Sequence, residues 1–426
     1  MQKFMDLIEL HLLPIAAKVG GQRHLIAVRD ALISMIAVTM IGSFAVLLCN
    51  LGPVIPGYDA LAKTLFGEAW KTLGLDIWWG TFAFMAVFAL FGIAFNLAKS
   101  YGDDGREAMV IAAACFFVLI PQGTKEGWGL VSWGSFSATA LFTAMFVGLV
   151  ATEIFIRLSK IKKLTIKMPD GVPPAVARAF AKLLPGMMTI FIFALAGMIF
   201  RSNLGTNGIY FNEWINEVLV KPFSGMADSL PAVLTIVFFV HLFWFFGLHG
   251  SNIFGGIITP ITTLLGVENT NLYAAGVTDL SKYHVFAGSF LDVFVYMGGA
   301  GCTLGFLIAI FLASKKQREI AELAIAPGVF QINEPVIFGT PIVLNPMLVL
   351  PFIITPLITA TVSYLAIQSG LVFPIVATVP WVTPVGFGGY LATGGHISGA
   401  VLAIVNLAIS IVIYLPFVAA INRQKD

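Results

Sequence analysis

Six side chains lie where long apolar stretches leave little else to do chemistry: His241, His249, Asp292, Glu334, Trp381 and His396. Glu334 is the most telling. It sits in Pro327-Gly328-Val329-Phe330-Gln331-Ile332-Asn333-Glu334-Pro335-Val336-Ile337-Phe338-Gly339-Thr340-Pro341, and apolar sequence on both sides puts this segment at membrane depth. Its three prolines and two glycines rule out one straight spanning helix. Non-helical backbone at that depth survives only inside protein or against a water-filled cavity. An ionisable side chain there costs about 2.5–3.5 kcal/mol, so it ordinarily marks a substrate or ion path. A carboxylate so placed can bind two hydroxyls of a polyol, or take a proton from one as a general base. The competing role is structural, with the carboxylate bonded to backbone amides freed by the break.

His249 lies in Phe246-Gly247-Leu248-His249-Gly250-Ser251-Asn252, a turn between two apolar runs. The glycines admit close approach of a ligand to the backbone. Ser251 and Asn252 add donors and acceptors, and an imidazole can donate to one hydroxyl and accept from another. A satisfied histidine in a tight turn fits equally well. His241, eight residues earlier, reads as a helix–helix hydrogen-bonder; Asp292 reads as either a structural partner or a ligand; His396, beside Gly394, Gly395 and Ser398, reads as structural. Trp381, in Val379-Pro380-Trp381-Val382-Thr383-Pro384, offers a flat ring for the apolar face of a sugar or serves as an interfacial anchor.

These residues must be positioned by membrane-embedded helices. The 426 residues are 58% hydrophobic and only 11% charged, against about 25% charged in soluble domains. Apolar runs able to cross a bilayer, which takes about 20 residues, fall at 29–50, 78–98, 107–122, 133–157, 184–201, 230–248, 286–313, 346–367 and 396–421. A shorter run at 252–267 makes ten crossings. With the N-terminus inside, this count places 18 of the 24 Lys and Arg in the cytoplasm, in accord with the positive-inside rule. Two segments, 322–345 and 371–395, read as re-entrant hairpins, since a full crossing in either would break that parity. Phe4, Leu7, Ile8, Leu12 and Ile15 share one face of an amphipathic start. Segments 172–184 and 210–219 are also amphipathic at helical spacing. The first half (1–201), with regular spans and few intramembrane charges, reads as a scaffold, 202–229 as an amphipathic linker, and 230–426, which holds the broken segments and nearly all the polar anomalies, as a substrate-handling half.

Several classes are excluded or unsupported. Cys49, Cys115 and Cys302 lie in apolar runs without pairing or metal-ligand spacing, and read as small buried hydrophobes. No phosphate-binding glycine loop, zinc motif or cleavable signal is visible, and no metal or cofactor is expected. The net charge of +2 marks no nucleic-acid partner. No nucleophile, base and orienting group assemble into a self-contained catalytic centre, which argues against an intramembrane hydrolase built on Glu334 and His249.

The stretch Gln331-Ile332-Asn333-Glu334-Pro335-Val336-Ile337-Phe338-Gly339-Thr340-Pro341-Ile342-Val343-Leu344-Asn345-Pro346 resembles the Asn-Glu-Pro signature of sugar permeases of the bacterial phosphotransferase system. It is most similar to the enzyme IIC subunit of the lactose/cellobiose/diacetylchitobiose family. Trp244-Phe245-Phe246-Gly247-Leu248-His249-Gly250 and Pro380-Trp381-Val382-Thr383-Pro384 carry the same resemblance, which extends over essentially the whole chain. The resemblance implies an all-helical homodimer in the bacterial plasma (inner) membrane, with ten crossings, two re-entrant hairpins and cytoplasmic termini. It implies an elevator-like rigid-body movement of the last five crossings against the first five. It implies a disaccharide substrate, cellobiose or diacetylchitobiose, phosphorylated at its 6-hydroxyl by the phosphocysteine of a separate IIB partner, with IIA upstream. His249 and Glu334 would bind near that hydroxyl, with Gly250, Ser251, Asn252, Asn333 and Trp381 lining the sugar site. The chain would then be one component of a phosphoenolpyruvate-dependent sugar phosphotransferase rather than an enzyme by itself. The alternative is an ion-coupled symporter, which also needs broken helices and polar groups at the midplane but delivers free sugar.

Overall fold

The computed structural model describes residues 21–52, 55–124, 127–169, 171–203, 208–314, 317–340, 342, 345 and 347–423. The amphipathic start, Lys315, Lys316 and part of the 341–346 stretch lie outside them. In chain order the helices are α1 Arg23–Ser34, α2 Ile36–Cys49, α3 Tyr58–Phe66, α4 Trp70–Thr81, α5 Met85–Ser100, α6 Arg106–Leu119, α7 Leu141–Ser159, α8 Pro174–Ala181, α9 Leu183–Asn203, α10 Phe211–Ile215, α11 Lys221–Ala227, α12 Leu230–Phe245, α13 Gly250–Ala274, α14 Thr303–Ala313, α15 Arg318–Val329, α16 Glu334–Gly339, α17 Val349–Gln368, α18 Phe387–Ala392 and α19 Ile397–Arg423. Among the described residues the only strands are β1 Gly123–Thr124 and β2 Gly127–Trp128, paired antiparallel.

The fold is that of an all-α polytopic membrane protein. Each of the ten apolar runs holds a helix. Among the described residues, six helices are long and apolar enough to cross a membrane by themselves: Trp70–Ser100, Ala138–Ser159, Pro174–Ser202, Gly250–Ala274, Val349–Gln368 and Ile397–Asn422. A seventh candidate is the pair Arg23–Ser34 and Ile36–Val46, bent by 41°. Both amphipathic segments contain helix, α8 in the first and α10 in the second, where a π-helical turn over Asn216–Val220 follows. The run 286–313 departs from expectation, because it is helical only from Thr303. Its first part is a π-helical turn, Leu291–Val295, followed by a bend. Gly298, Gly299 and Gly301 have φ of 86°, 94° and 81°, and Cys302 has φ of 56°; a right-handed helix cannot run through four such positions.

The chain forms two compact units, Gly21–Val38 with Trp79–Ser224, and Thr39–Trp78 with Gly225–Asp426. The first is a bundle of small residues. Ala86, Ala94, Ala112, Ala140, Ala144 and Ala151 are wholly buried around Leu90 and Phe116. Gly92 lies against Ala31 so closely that an added methyl would fall 2.8 Å from the Ala31 methyl. Small side chains let helix backbones approach where lipid gives no hydrophobic drive for association. At one end Tyr101 donates to both oxygens of Glu153 (2.9 and 2.8 Å), and Arg23 and Lys160 lie over its ring. Lys182 ties α9 to the start of α6 through Asp103 (2.7 Å) and Glu107 (3.1 Å).

The second unit is built differently. Its core is aromatic, with Phe286, Phe290, Phe294, Phe306, Phe352 and Tyr414 fully buried, and it encloses two irregular segments, 284–302 and 372–386. Their backbone groups are satisfied by side chains from the helices. Asn269 donates to the His284 and Ile375 carbonyls (2.8 and 2.9 Å), Thr270 to Val376 (2.8 Å) and Asn406 to Phe294 (2.8 Å). Thr359 donates to Val295 (3.2 Å) and Tyr414 to Gly301 (2.6 Å). Buried backbone without partners would cost more than the fold can bear. Cys115 and Cys302 are buried as expected, whereas Cys49 is only partly so.

A charged cluster closes this unit where α12, α13 and the segment before Val285 meet. His284 donates from Nδ1 to Asp228 (3.0 Å) and from Nε2 to Glu268 (2.7 Å). Asp228 also accepts from the backbone N–H groups of Val285 (3.0 Å) and Phe286 (2.6 Å). Burial opposes the imidazolium charge, but the bonds to the two carboxylates outweigh it and hold the His284 pKa up at about 9.

Candidate functional site

Glu334 begins α16, directly after the break that interrupts the segment between Val329 and Glu334. The break is chemically specific. Gln331 is buried at φ 67°, in the left-handed region that is uncommon for residues other than glycine. Its Oε1 accepts from the N–H groups of both Gly298 and Gly299 (3.1 Å to the latter), and its Nε2 donates to the Asp292 carbonyl (3.0 Å). Two residues on, Asn333 is also buried and donates from Nδ2 to the Ala300 carbonyl (3.0 Å). These two carboxamides clamp the bend Gly298–Gly301, and the bend has no room to spare. A methyl on Gly299 would sit 2.7 Å from the Gln331 carbonyl oxygen, and one on Gly301 would sit 2.1 Å from the Phe352 ring.

Glu334 itself projects from this clamp. It is exposed, and among the described residues no side-chain hydrogen bond to its carboxylate is present. The Asp292 carboxylate is likewise without a hydrogen bond to any described residue, while its backbone is held by Gln331. The structure therefore spends Gln331 and Asn333 on the backbone of the bend and of Asp292 and leaves the Glu334 carboxylate to interact outward.

His249 forms a second cluster at the turn between α12 and α13. Gly247 has φ of 78°, and His249 caps α13, its Nδ1 accepting from the Asn252 N–H (3.2 Å). In the neutral ring this bond puts the proton on Nε2, making that nitrogen a donor. The ring packs against Trp244, with centroids 4.2 Å apart and planes at 44°; Trp244 is itself buried. His249 and Asn252 are exposed, Ser251 is half-buried and Gly250 is buried. A methyl at Gly250 would lie 2.0 Å from the Val240 carbonyl oxygen, so Gly250 is there for the crossing of backbones at this turn.

The remaining candidates separate by their surroundings. His241 is fully buried and donates from Nδ1 to Val237 (2.6 Å) on its own helix, so it does not bond across helices as the sequence suggested. Its ring instead packs edge-on against Tyr296 and Phe352, anchoring α12 beside the glycine bend. His396 donates to the Thr393 carbonyl (2.6 Å) and stacks on Phe373 at 4.0 Å and 3°, a structural placement. Trp381 stands half-exposed on the irregular segment after Val372. Among the described residues no group of three or more His, Cys, Asp or Glu is arranged to hold a metal ion.

Sequence reasoning missed Gln331 as the residue that seats Glu334. The signal available was a polar residue three positions before the carboxylate in an apolar run, together with three glycines in Gly298-Gly299-Ala300-Gly301.

The chain is similar to known proteins over nearly its whole length. The family model for "Phosphotransferase system, EIIC" matches residues 29–356. The lichenan permease IIC component of Bacillus subtilis (strain 168) is 40% identical, the alignment spanning 100% of this chain and 95% of that protein. The cellobiose-specific EIIC component of Geobacillus stearothermophilus is 38% identical, over 100% and 96%. The crystal structure of ChbC, the IIC component of the N,N'-diacetylchitobiose-specific phosphotransferase system, superposes with a TM-score of 0.92 at 37% identity, covering 98% of each chain.

Proposed function

Because the chain belongs to the phosphotransferase system EIIC family and is a multi-pass membrane sugar permease, we propose that it imports a β-linked disaccharide, cellobiose or diacetylchitobiose, and presents the sugar's 6-hydroxyl to a phosphocysteine on a separate IIB protein. The names of the relatives support the substrate class, since cellobiose- and N,N'-diacetylchitobiose-specific components align over nearly the whole chain. The observation that carries the reading is Glu334: an outward carboxylate without side-chain partners among the described residues, at the break of a helix whose neighbours Gln331 and Asn333 are locked to the Gly298–Gly301 bend.

In this reading the 6-hydroxyl oxygen attacks phosphorus, the O–P bond forms, the S–P bond breaks, and the cysteine leaves as a thiolate. Glu334 accepts the hydroxyl proton, and the His249 Nε2–H steadies the same oxygen. Phosphoryl transfer asks mainly for positioning and charge stabilisation, which is what a carboxylate and an imidazole on locked turns supply. Asn252, Ser251 and Trp381 would complete the sugar site, with Asn333 holding the backbone beneath it. The protein would work as a homodimer in the bacterial inner membrane with both termini cytoplasmic, residues 1–201 as scaffold and 230–426 carrying the sugar as a rigid body.

The test is uptake of labelled cellobiose and diacetylchitobiose into right-side-out vesicles, with and without phosphorylated IIB inside. Sugar phosphate is expected inside only when phosphorylated IIB is present. Accumulation of free sugar without it would overturn this reading in favour of an ion-coupled symporter. Glu334→Gln is expected to retain sugar binding and lose phosphorylation by about 10²–10⁴-fold, the contribution of a positioned base.

A further inference from the structure

We propose that the unit containing Trp79–Ser224 carries a second saccharide-binding cavity, separate from the Glu334 and His249 clusters; the proposal rests on the sugar-permease reading above. A cavity of about 480 Å³ opens between the chain around β1, the short turns before α7, and α10. That volume falls within the roughly 300–1,000 Å³ of small-molecule sites. Its polar lining comes from Ser132, Ser135, Thr139, Asn212, Glu213 and Asn216. By the distribution of Lys and Arg this face lies outside the cell, where sugar arrives.

Asn212 is the decisive residue. It is 7% exposed, lines the cavity, and its Oδ1 is buried without a hydrogen-bond partner. Buried carboxamides are ordinarily bonded; Oδ1 has almost no surface open to the cavity, so a bound hydroxyl would reach it only as the Asn212 side chain turns, which would remove an open cost of the fold. The neighbours offer the complementary functions. Thr139 uses its proton on the Gly134 carbonyl (2.6 Å) and accepts from the Ser137 hydroxyl (3.1 Å), leaving one lone pair as an acceptor. Glu213 accepts from the Tyr210 N–H through Oε2 (2.9 Å), which leaves its other oxygen for a ligand. Such a mixture of neutral donors and acceptors with one carboxylate suits vicinal hydroxyls. Glu213 disfavours an anion. A bare hard cation gathers its oxygens at about 2.3–2.6 Å, too tight a shell for a space of this size.

The experiment is equilibrium binding of labelled cellobiose to the full-length protein in lipid nanodiscs. Wild type is expected to bind at two sites. His249→Ala with Glu334→Ala should leave only the second, Asn212→Leu should weaken that one about threefold to tenfold, the loss of one hydrogen bond, and Ser132→Trp, at the exposed mouth, should abolish it. A single wild-type site that disappears with His249→Ala and Glu334→Ala would overturn the cavity proposal and leave the permease reading intact. So would a second site insensitive to both Asn212→Leu and Ser132→Trp, or labelled Ca²⁺ binding that Asn212→Leu removes in the absence of sugar. No sugar binding of any kind by wild type would overturn the permease reading itself.

Discussion

Gln331→Met keeps the length of the side chain and removes its polar atoms, so it isolates the clamp beneath Glu334. In the wild type the carboxamide serves three buried backbone groups: the N–H of Gly298, the N–H of Gly299 and the carbonyl of Asp292. Leaving one buried polar group unsatisfied costs about 1–3 kcal/mol. The Gly299 N–H keeps its bond to the Tyr296 carbonyl (3.0 Å), so two groups are orphaned; they would cost roughly 2–6 kcal/mol if nothing relaxed, and repacking or water entry brings the expectation to about 2–4 kcal/mol. The backbone strain at φ 67° is common to both side chains and cancels. At about 2 °C per kcal/mol for a large chain, the thermal midpoint should fall by about 4–8 °C. The assay is thermal unfolding of purified protein, followed by sugar binding well below the midpoint. Gln368→Met, at the exposed end of α17, is the control for the same chemical change. Binding should weaken in the Gln331 variant alone, because Glu334 loses its seat. A midpoint and an affinity equal to those of the control would refute the clamp.

Two further outcomes follow from other parts of the same unit. His284 has a folded-state pKa raised above its ordinary value of about 6.5, so its contribution to stability is fully present below that value and is lost as pH rises through about 9; unfolding midpoints of wild type and Asp228→Asn measured from pH 6 to 10 should converge toward the alkaline end, and parallel curves would contradict the assignment. Gly250→Ala sets a methyl 2.0 Å from the Val240 carbonyl oxygen, and overpacking of this kind costs about 1–3 kcal/mol or more; the variant should lower both the thermal midpoint and sugar affinity, whereas Gly80→Ala, where a methyl meets nothing within 4 Å, should do neither.

The membrane class, the ten helical regions and the interruption at Glu334 are legible in the sequence because they depend on hydropathy, charge and prolines. The interior of 284–302 is not. Hydropathy reports that Phe286, Phe290, Phe294 and Phe306 are buried, but burial is the same for a helix and for irregular chain packed inside helices. The glycines at 298, 299 and 301 were visible, and only the structure gives the left-handed φ that makes them breaks. Asn269, Thr359 and Asn406 illustrate a second limit. Each is a polar residue in an apolar helix, and its role is fixed by a carbonyl tens of residues away that the sequence gives no means of pairing with it. The same holds for Gln331 and Asp292, 39 residues apart. His241 misled because the i−4 carbonyl of its own helix is a nearer acceptor than any neighbour.

The bend at Gly298–Gly301 inverts the customary advice on where a protein tolerates change. Irregular stretches are ordinarily the places to insert tags, shuffle residues or graft new recognition, and helices are left alone. Here the helices present broad apolar flanks on which one hydrophobic residue can replace another, while a four-residue curve admits no extra carbon at three of its positions. Anyone redesigning the substrate range of this permease would do well to treat that curve as fixed masonry and to vary only what stands upon it.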